Sequence, residues 1–320
     1  MKPNKRKSSH FFYWSITFMV IIAAFSCYLA FFLMLNLCAL DKNAFIHFTK
    51  GQSLNQLSKN LYQAGLVPHA SYFTYWVILL GKDHDLQTGY YRVTPDMSLN
   101  ALLHKMVHGE IEHFKLVIIP GETLDDLLLQ IDQSGMSAPW NSQQDWQGML
   151  YPNTYDYVDQ TTLLRALNVS RQQMQDHLNQ AWISRADHLP YQNPFQVLVM
   201  ASLLEKESSS YQNQQHIAGV FLHRLQKGMY LDSDPTVRFA VHVKPGVPLV
   251  QSDFKSASYF NTYRYKGLPP GPICFVSQQS IQAALHPLKT DDLYFYIDAK
   301  QTIFSPSPIH LHLNAVRKLS

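Results

Sequence analysis

The sequence predicts an α+β protein: a single N-terminal transmembrane helix, a small α+β module, then a larger mixed α/β domain. Three observations carry this prediction. The stretch from Phe11 to Leu40 contains no Asp, Glu, Lys or Arg. A strand–turn–helix phrase recurs between residues 44 and 130. Beyond residue 194, two helices of apolar periodicity give way to long loops rich in Pro, Gly and polar residues. At 320 residues and 46% hydrophobic content, the chain has room for two domains and a sizeable core.

The charge-free stretch follows Lys2, Lys5, Arg6 and Lys7. About 20 apolar residues cross a bilayer, and basic flanks stay on the cytoplasmic side. Residues 1–10 are therefore expected in the cytoplasm, 11–40 in the membrane, and everything after Asp41 outside. A cleaved signal peptide is the rival reading. The run is longer than a usual signal core, and no small-x-small site closes it. Cys27 and Cys38 lie within the run and Cys274 stands alone, so no exported disulfide framework exists. No arrangement of Cys and His suggests a metal, and no cofactor is expected. The net charge of +3 gives no reason to expect a nucleic-acid partner. Five Trp and 18 Tyr suit carbohydrate stacking, although core packing accounts for most of them.

Residues 41–130 form the predicted small module. The phrases "GQSLNQLSKNL" from Gly51, "DMSLNALLHKM" from Asp96 and "GETLDDLLLQI" from Gly121 each place Ser or Thr before an apolar stripe of helical spacing. Ser53, Ser98 and Thr123 read as helix N-caps. The runs "AFIHFT", "GYYRVT" and "FKLVIIP" before them read as strands. This rhythm is shared by small peptidoglycan-binding modules such as LysM, and by many other α+β domains.

Residues 131–320 form the larger domain. A polar segment ends in "GMLYPNTYDY", helical patterning returns over 161–188, and "HLPYQNP" breaks the chain. Asn193 then caps a helix, Pro194 suits its first position, and Gln196 stands where a capping-box partner reaches back. That helix runs "FQVLVMASLLEKES". The next carries Ile217, Val220, Phe221 and Leu225 on one face and stops at Gly228. "LYFYID" reads as a strand with which the final stretch pairs.

Charged residues make up only 15% of the chain, so two glutamates within "EKE" stand out. At about 100° per residue, Glu205 and Glu207 point about 200° apart. They cannot flank one bond as the carboxylate pair of a glycosidase does. Glu207 lies over Met200, Leu203 and Leu204, the richest apolar arc of the helix. A carboxyl group there is desolvated and its pKa raised, as a general acid near neutral pH requires. Alternatively, one or both glutamates merely end the helix or pair with Lys206 or Arg224.

"MASLLEKES" followed by "IAGVFLHRLQKGMYLDSDPTV" resembles the signature region of the endolytic peptidoglycan transglycosylases, the MltG or YceG-like family. The resemblance extends to "LYPNTY", "FNTYRYKGLPPGPI" and "AALHP", and it spans nearly the whole chain. It implies a LysM-like module and a catalytic domain built on a lytic-transglycosylase-type helix. It implies a single-pass protein of the bacterial inner membrane whose bulk is periplasmic. Its substrate would be peptidoglycan glycan strands, cut at the β-1,4 bond between N-acetylmuramic acid and N-acetylglucosamine. The product would carry a 1,6-anhydro-muramoyl end, and penicillin-binding synthases would be neighbours.

The family's catalytic glutamate falls on Glu207, with Ser208 beside it. One carboxylate suffices, because the muramoyl C6 hydroxyl rather than water attacks C1. The resemblance also implies supporting or substrate-binding roles for Glu205, Arg224, Asp234, Thr236, Asn261, Thr262, Tyr263 and Pro270. Asp234 could equally be a turn cap, and the Pro-Gly loop around Pro270 could serve turn geometry alone. The chain departs from the family pattern at Asp232 (usually Gln), Arg238 (aliphatic), Phe239 and Phe260 (Tyr) and Ala240 (Gly), and the C-terminal His-Asn pattern is blurred. These changes leave the acid intact and put subsite detail in doubt. Two alternatives stay open: a lysozyme-like hydrolase, and a non-catalytic peptidoglycan-binding scaffold.

Overall fold

A computed structural model describes residues 6–35, 43–95, 97–137, 146–244, 246–297 and 302–308. The extreme N-terminus and the C-terminal pattern around His312 and Asn314 lie outside the described residues. A first helix, α1, spans Arg6–Leu35, and the side chains described for it, residues 13–28, are all exposed. Among the described residues, no helix is long and apolar enough to cross a membrane. The chain divides into two compact units, Met1–His113 and Phe114–Ser320.

In the first unit, β1 (Ala44–Phe48) pairs antiparallel with β2 (Gly89–Val93). Helices α2 (Leu54–Gln63), α3 (Ala70–Leu79) and α4 (Leu99–His108) complete it. Ile46, Phe48, Tyr91 and Val93 of the sheet meet Leu57, Leu61, Phe73, Val77, Leu102 and Met106 in one core. The expected caps form. Ser53 and Gln56 make a reciprocal capping box, and Ser98 accepts from the backbone N–H of Ala101. Each satisfies N–H groups that a helix start leaves unpaired.

The third phrase repeats the same local solution: Gly121 has the φ of Gly51, +85°, and Thr123 forms a capping box with Asp126. The structure nevertheless places this phrase in the second unit, where the sequence pattern grouped it with the first two. Its strand β3 (Phe114–Val117) finds its hydrogen-bonding partner in β4 (Thr154–Tyr157), and helix α5 (Leu124–Gln133) follows. The local pattern repeats, but strand pairing decides which core it joins.

The core of the second unit gathers around α7 (Pro194–Glu207), whose residues Val197 to Leu204 are all buried. Around it lie α6 (Gln160–Ile183), α8 (Tyr211–Gln226) and α10 (Gln278–Leu285), with the short α9 (Asp234–Ala240) beside the end of α7. Asn193 caps α7 as expected. Gln196 reaches back one residue further than a capping box does, to the N–H of Gln192. A hairpin of β5 (Tyr294–Ile297) and β6 (Thr302–Ser305) closes the unit. Helix α8 approaches the segment before that hairpin so closely that a Cβ on Gly219 would overlap the carbonyl of Leu288.

Candidate active site

Helix α7 is buried through Leu204 and then emerges, so its last three charged side chains spread to three anchors. Glu205 Oε2 accepts from both the N–H and the hydroxyl of Ser277, at 2.9 and 2.6 Å. Ser277 is itself the N-cap of α10, so Glu205 fastens one helix end to another helix start. Lys206 Nζ donates to the carbonyl of Gly121 at 3.0 Å. Glu207 Oε1 accepts from the Ser233 hydroxyl at 2.6 Å. Both glutamates are thus held by serines rather than by Lys206 or Arg224. The divergence expected from helix geometry is realised.

Glu207 is partly buried, and Ser233 beside it is 1% exposed. Burial pushes the Glu207 carboxyl from an ordinary 4.5 up to about 7. The Ser233 hydrogen bond pulls the other way, and the charge of Asp234 adds to the rise. Loss of solvation disfavours the ionised form more than one neutral donor favours it. Near pH 7 the group is therefore poised between acid and carboxylate, as a residue that first donates and then accepts a proton requires.

What holds Ser233 is the buried work of the loops. Arg224, 6% exposed, donates Nε to the carbonyl of Leu293 at 2.6 Å. Its Nη1 reaches the carbonyl of Leu231 and Asp232 Oδ2, at 2.8 and 3.2 Å. This pins Asp232, which sits in the left-handed region with φ of 50°. The Ser233 N–H donates to Thr262 Oγ1 at 3.0 Å, and the Thr236 hydroxyl donates to the Ser233 carbonyl at 2.7 Å. Thr236 and Thr262 also share a bond of 2.8 Å. Asn261 ties its own loop through the carbonyls of Phe254 and Ser256.

The structure places the other expected site residues as follows. Thr236, Asn261 and Thr262 are buried, at 0%, 0% and 1% exposure, and their side chains are bonded within the loops. Ser208 closes α7: its N–H donates to Leu204 and its hydroxyl accepts from the N–H of Ser210. Asp234 is no turn cap. It is the first residue of α9, and its Oδ1 accepts from the Tyr263 hydroxyl at 2.6 Å. Burial, followed by the bond to Asp234, pushes the Tyr263 phenol above its ordinary value. Ser233, the side chain bonded to Glu207, carries no signal of its own in the sequence, although it directly precedes Asp234-Pro235-Thr236.

A cleft of about 590 Å³ opens in the same unit. Met149, Phe195, Phe239, Phe260, Pro270 and Pro272 supply its apolar lining. Glu207 is not among the residues that line it. Helix α9 joins the two places: Asp234 at its start influences Glu207, and Phe239 near its end enters the cleft. The departures Phe239 and Phe260 are neighbours there, with ring centroids 4.8 Å apart. Arg238 points elsewhere, donating to the carbonyl of Val247. Among the described residues, no group of three or more His, Cys, Asp or Glu could hold a metal. His104 and His108, one turn apart on α4, stack on each other at 3.9 Å.

Glu207, at the end of the buried helix α7 and bonded to a buried serine, has the raised carboxyl group that acid–base chemistry requires, on an α+β scaffold. The chain belongs to the YceG-like family, whose model matches residues 46–318. A Bacillus subtilis protein named endolytic murein transglycosylase is 26% identical over 304 residues, covering 85% of this chain and 84% of that protein. A protein of the same name from Streptococcus pneumoniae serotype 2 is 25% identical over 92% of this chain, which spans only 62% of that relative. The crystal structure of a YceG-like protein from Listeria monocytogenes superposes with a TM-score of 0.51 at 26% identity. It covers 88% of this chain and 100% of that one.

Proposed function

We infer that this chain is an endolytic murein transglycosylase, cleaving peptidoglycan glycan strands between N-acetylmuramic acid and N-acetylglucosamine. The observation that carries the reading is the single carboxyl group of Glu207, raised to about 7 and held by Ser233, in a chain of the YceG-like family. Protonated Glu207 donates to the departing glycosidic oxygen as the bond to C1 breaks. The carboxylate left behind takes the proton from the muramoyl C6 hydroxyl, whose oxygen bonds to C1. The proton returns to Glu207 and no water is consumed. The Ser233 hydroxyl occupies Oε1, which leaves Oε2 to carry the proton.

A second reading rests on Asp234, a carboxylate close enough to raise the pKa of Glu207. In a hydrolase it would activate water. The Tyr263 hydroxyl already occupies Oδ1 of Asp234 at 2.6 Å, which leaves less of that carboxylate free to hold a water, and this favours the lyase. Mass spectrometry of the released glycans separates the two. Anhydro ends support the lyase, and products heavier by one water support the hydrolase.

The remaining assignments follow from the same reading. Helix α1 anchors the chain in the bacterial inner membrane, with the N-terminus cytoplasmic and the rest periplasmic. The charge-free stretch Phe11–Leu40 and the exposed side chains of residues 13–28 support this. The first unit acts as a LysM-like glycan holder, supported by its strand–helix phrases. Cleavage next to penicillin-binding synthases would end the growth of nascent strands.

A further inference from the structure

The outer face of α3 takes no part in the site. Between Ala70 and Leu79 this helix carries no charge. Its hydroxyl residues Ser71 and Thr74 are committed to partners: Thr74 donates to Ser58 Oγ at 2.8 Å, and Ser71 bonds His69 Nδ1 at 2.7 Å. Phe73 and Val77 fill the core on the inner side. At about 100° per residue, Tyr75, Ile78 and Leu79 fall on the arc opposite Phe73. They are 68%, 53% and 73% exposed. The rings of Tyr62, His69 and Tyr72 adjoin one another at the N-terminal side of the arc. A helix on a water-facing surface distributes its residues the other way. Its neighbours do so, with Asn55, Gln56, Lys59 and Asn60 exposed on α2, and Asn100 and His104 on α4.

We propose that this arc of α3 rests in the interfacial layer of a lipid bilayer and holds the first unit against the membrane surface. The inference rests on reading α1 as the anchor. Leu35 ends α1 and Ala44 begins β1. The intervening chain, fully extended, reaches at most about 30 Å. The first unit is thereby confined near the bilayer, and an apolar face there meets lipid before any other partner. The composition fits: tyrosine with Ile and Leu, and no charge on the arc. Tyrosine is enriched at membrane–water interfaces because an apolar ring and a polar tip are both satisfied there. Held this way, the first unit would present glycan at a fixed height above the membrane.

The test uses the full-length chain in nanodiscs of phosphatidylethanolamine and phosphatidylglycerol containing a diazirine lipid. Photolysis and peptide mass spectrometry then locate the lipid adducts. Adducts are expected on residues 72–80 as well as on α1. The triple variant Tyr75→Ser, Ile78→Ser, Leu79→Ser should lower those on 72–80 by about tenfold, with α1 labelling and circular dichroism unchanged. Adducts on α1 alone overturn the proposal and leave the anchor standing. A dimer through this arc, dissolved by the triple variant, overturns it in favour of self-association. Absence of adducts from both segments overturns the anchor and the proposal together, while glycan cleavage by Glu207 is judged separately.

Discussion

Replacing Ser233 with Ala should move the alkaline limb of activity upward. In the folded protein the Ser233 hydroxyl donates 2.6 Å to Glu207 Oε1, and this bond is the contribution that lowers a pKa otherwise driven up by burial. A hydrogen bond to an ionised group contributes about 1.5–3 kcal/mol. Glu207 retains partial exposure, so the lower end applies. About 1.4 kcal/mol corresponds to one pKa unit, which carries the group from about 7 to about 8. The acid form is the active one for kcat/KM. At pH 8 the wild type would be about one-tenth protonated and the variant about half, a fivefold difference in competent enzyme. The assay is kcat/KM on purified glycan strands from pH 5 to 9, each profile normalised to its own plateau. A lower plateau reports lost orientation of the carboxyl group. A limb that stays near the wild-type position, or moves to lower pH, would refute this account of how Ser233 acts.

Three further outcomes are expected. Glu207→Gln should stabilise the second unit at pH 8 and leave it unchanged near pH 4. The raised pKa means stability is lost progressively as pH rises from about 4.5 to about 7 and the loss is complete above that, while well below 4.5 the carboxyl is protonated in both states. The gain should be about 1–2 kcal/mol once partial exposure is allowed for, read as a pH-dependent difference in urea midpoints. Arg224→Met removes the donor shared by Leu231, Leu293 and Asp232, and it should cost about 3 kcal/mol of stability while lowering activity through the displaced Ser233 loop. Gly219→Ala should destabilise by about 2 kcal/mol or more, because its Cβ meets the Leu288 carbonyl; an unchanged melting temperature would show that the segment yields.

Local features were legible in the sequence wherever a short-range rule decides them. The caps at Ser53, Ser98, Thr123 and Asn193 form as read, because a hydroxyl or amide two or three residues before an N–H needs no distant partner. The divergence of Glu205 from Glu207 follows from helical pitch alone, and the rise in the Glu207 pKa follows from the apolar arc beneath it. Long-range pairing was not legible. Strand β3 looks like β1 in sequence, and only its partner β4 assigns it to the second unit. Ser233 was invisible for the same reason: it meets Glu207 across 26 residues of chain. The buried state of Thr236 and Thr262 was hidden too, since polar loop residues read as exposed until the bond between them is seen.

The central claim is that one residue, Glu207, serves as acid and then as base. The most direct measurement compares wild-type full-length chain with Glu207→Gln on purified glycan strands, counting 1,6-anhydro ends by mass spectrometry. The substituted amide keeps the shape of the carboxyl group and can still accept from Ser233, but it cannot donate an acidic proton. A loss of about 10²–10⁴-fold, with folding confirmed by circular dichroism, is the predicted result. Anhydro ends produced at the wild-type rate would contradict it.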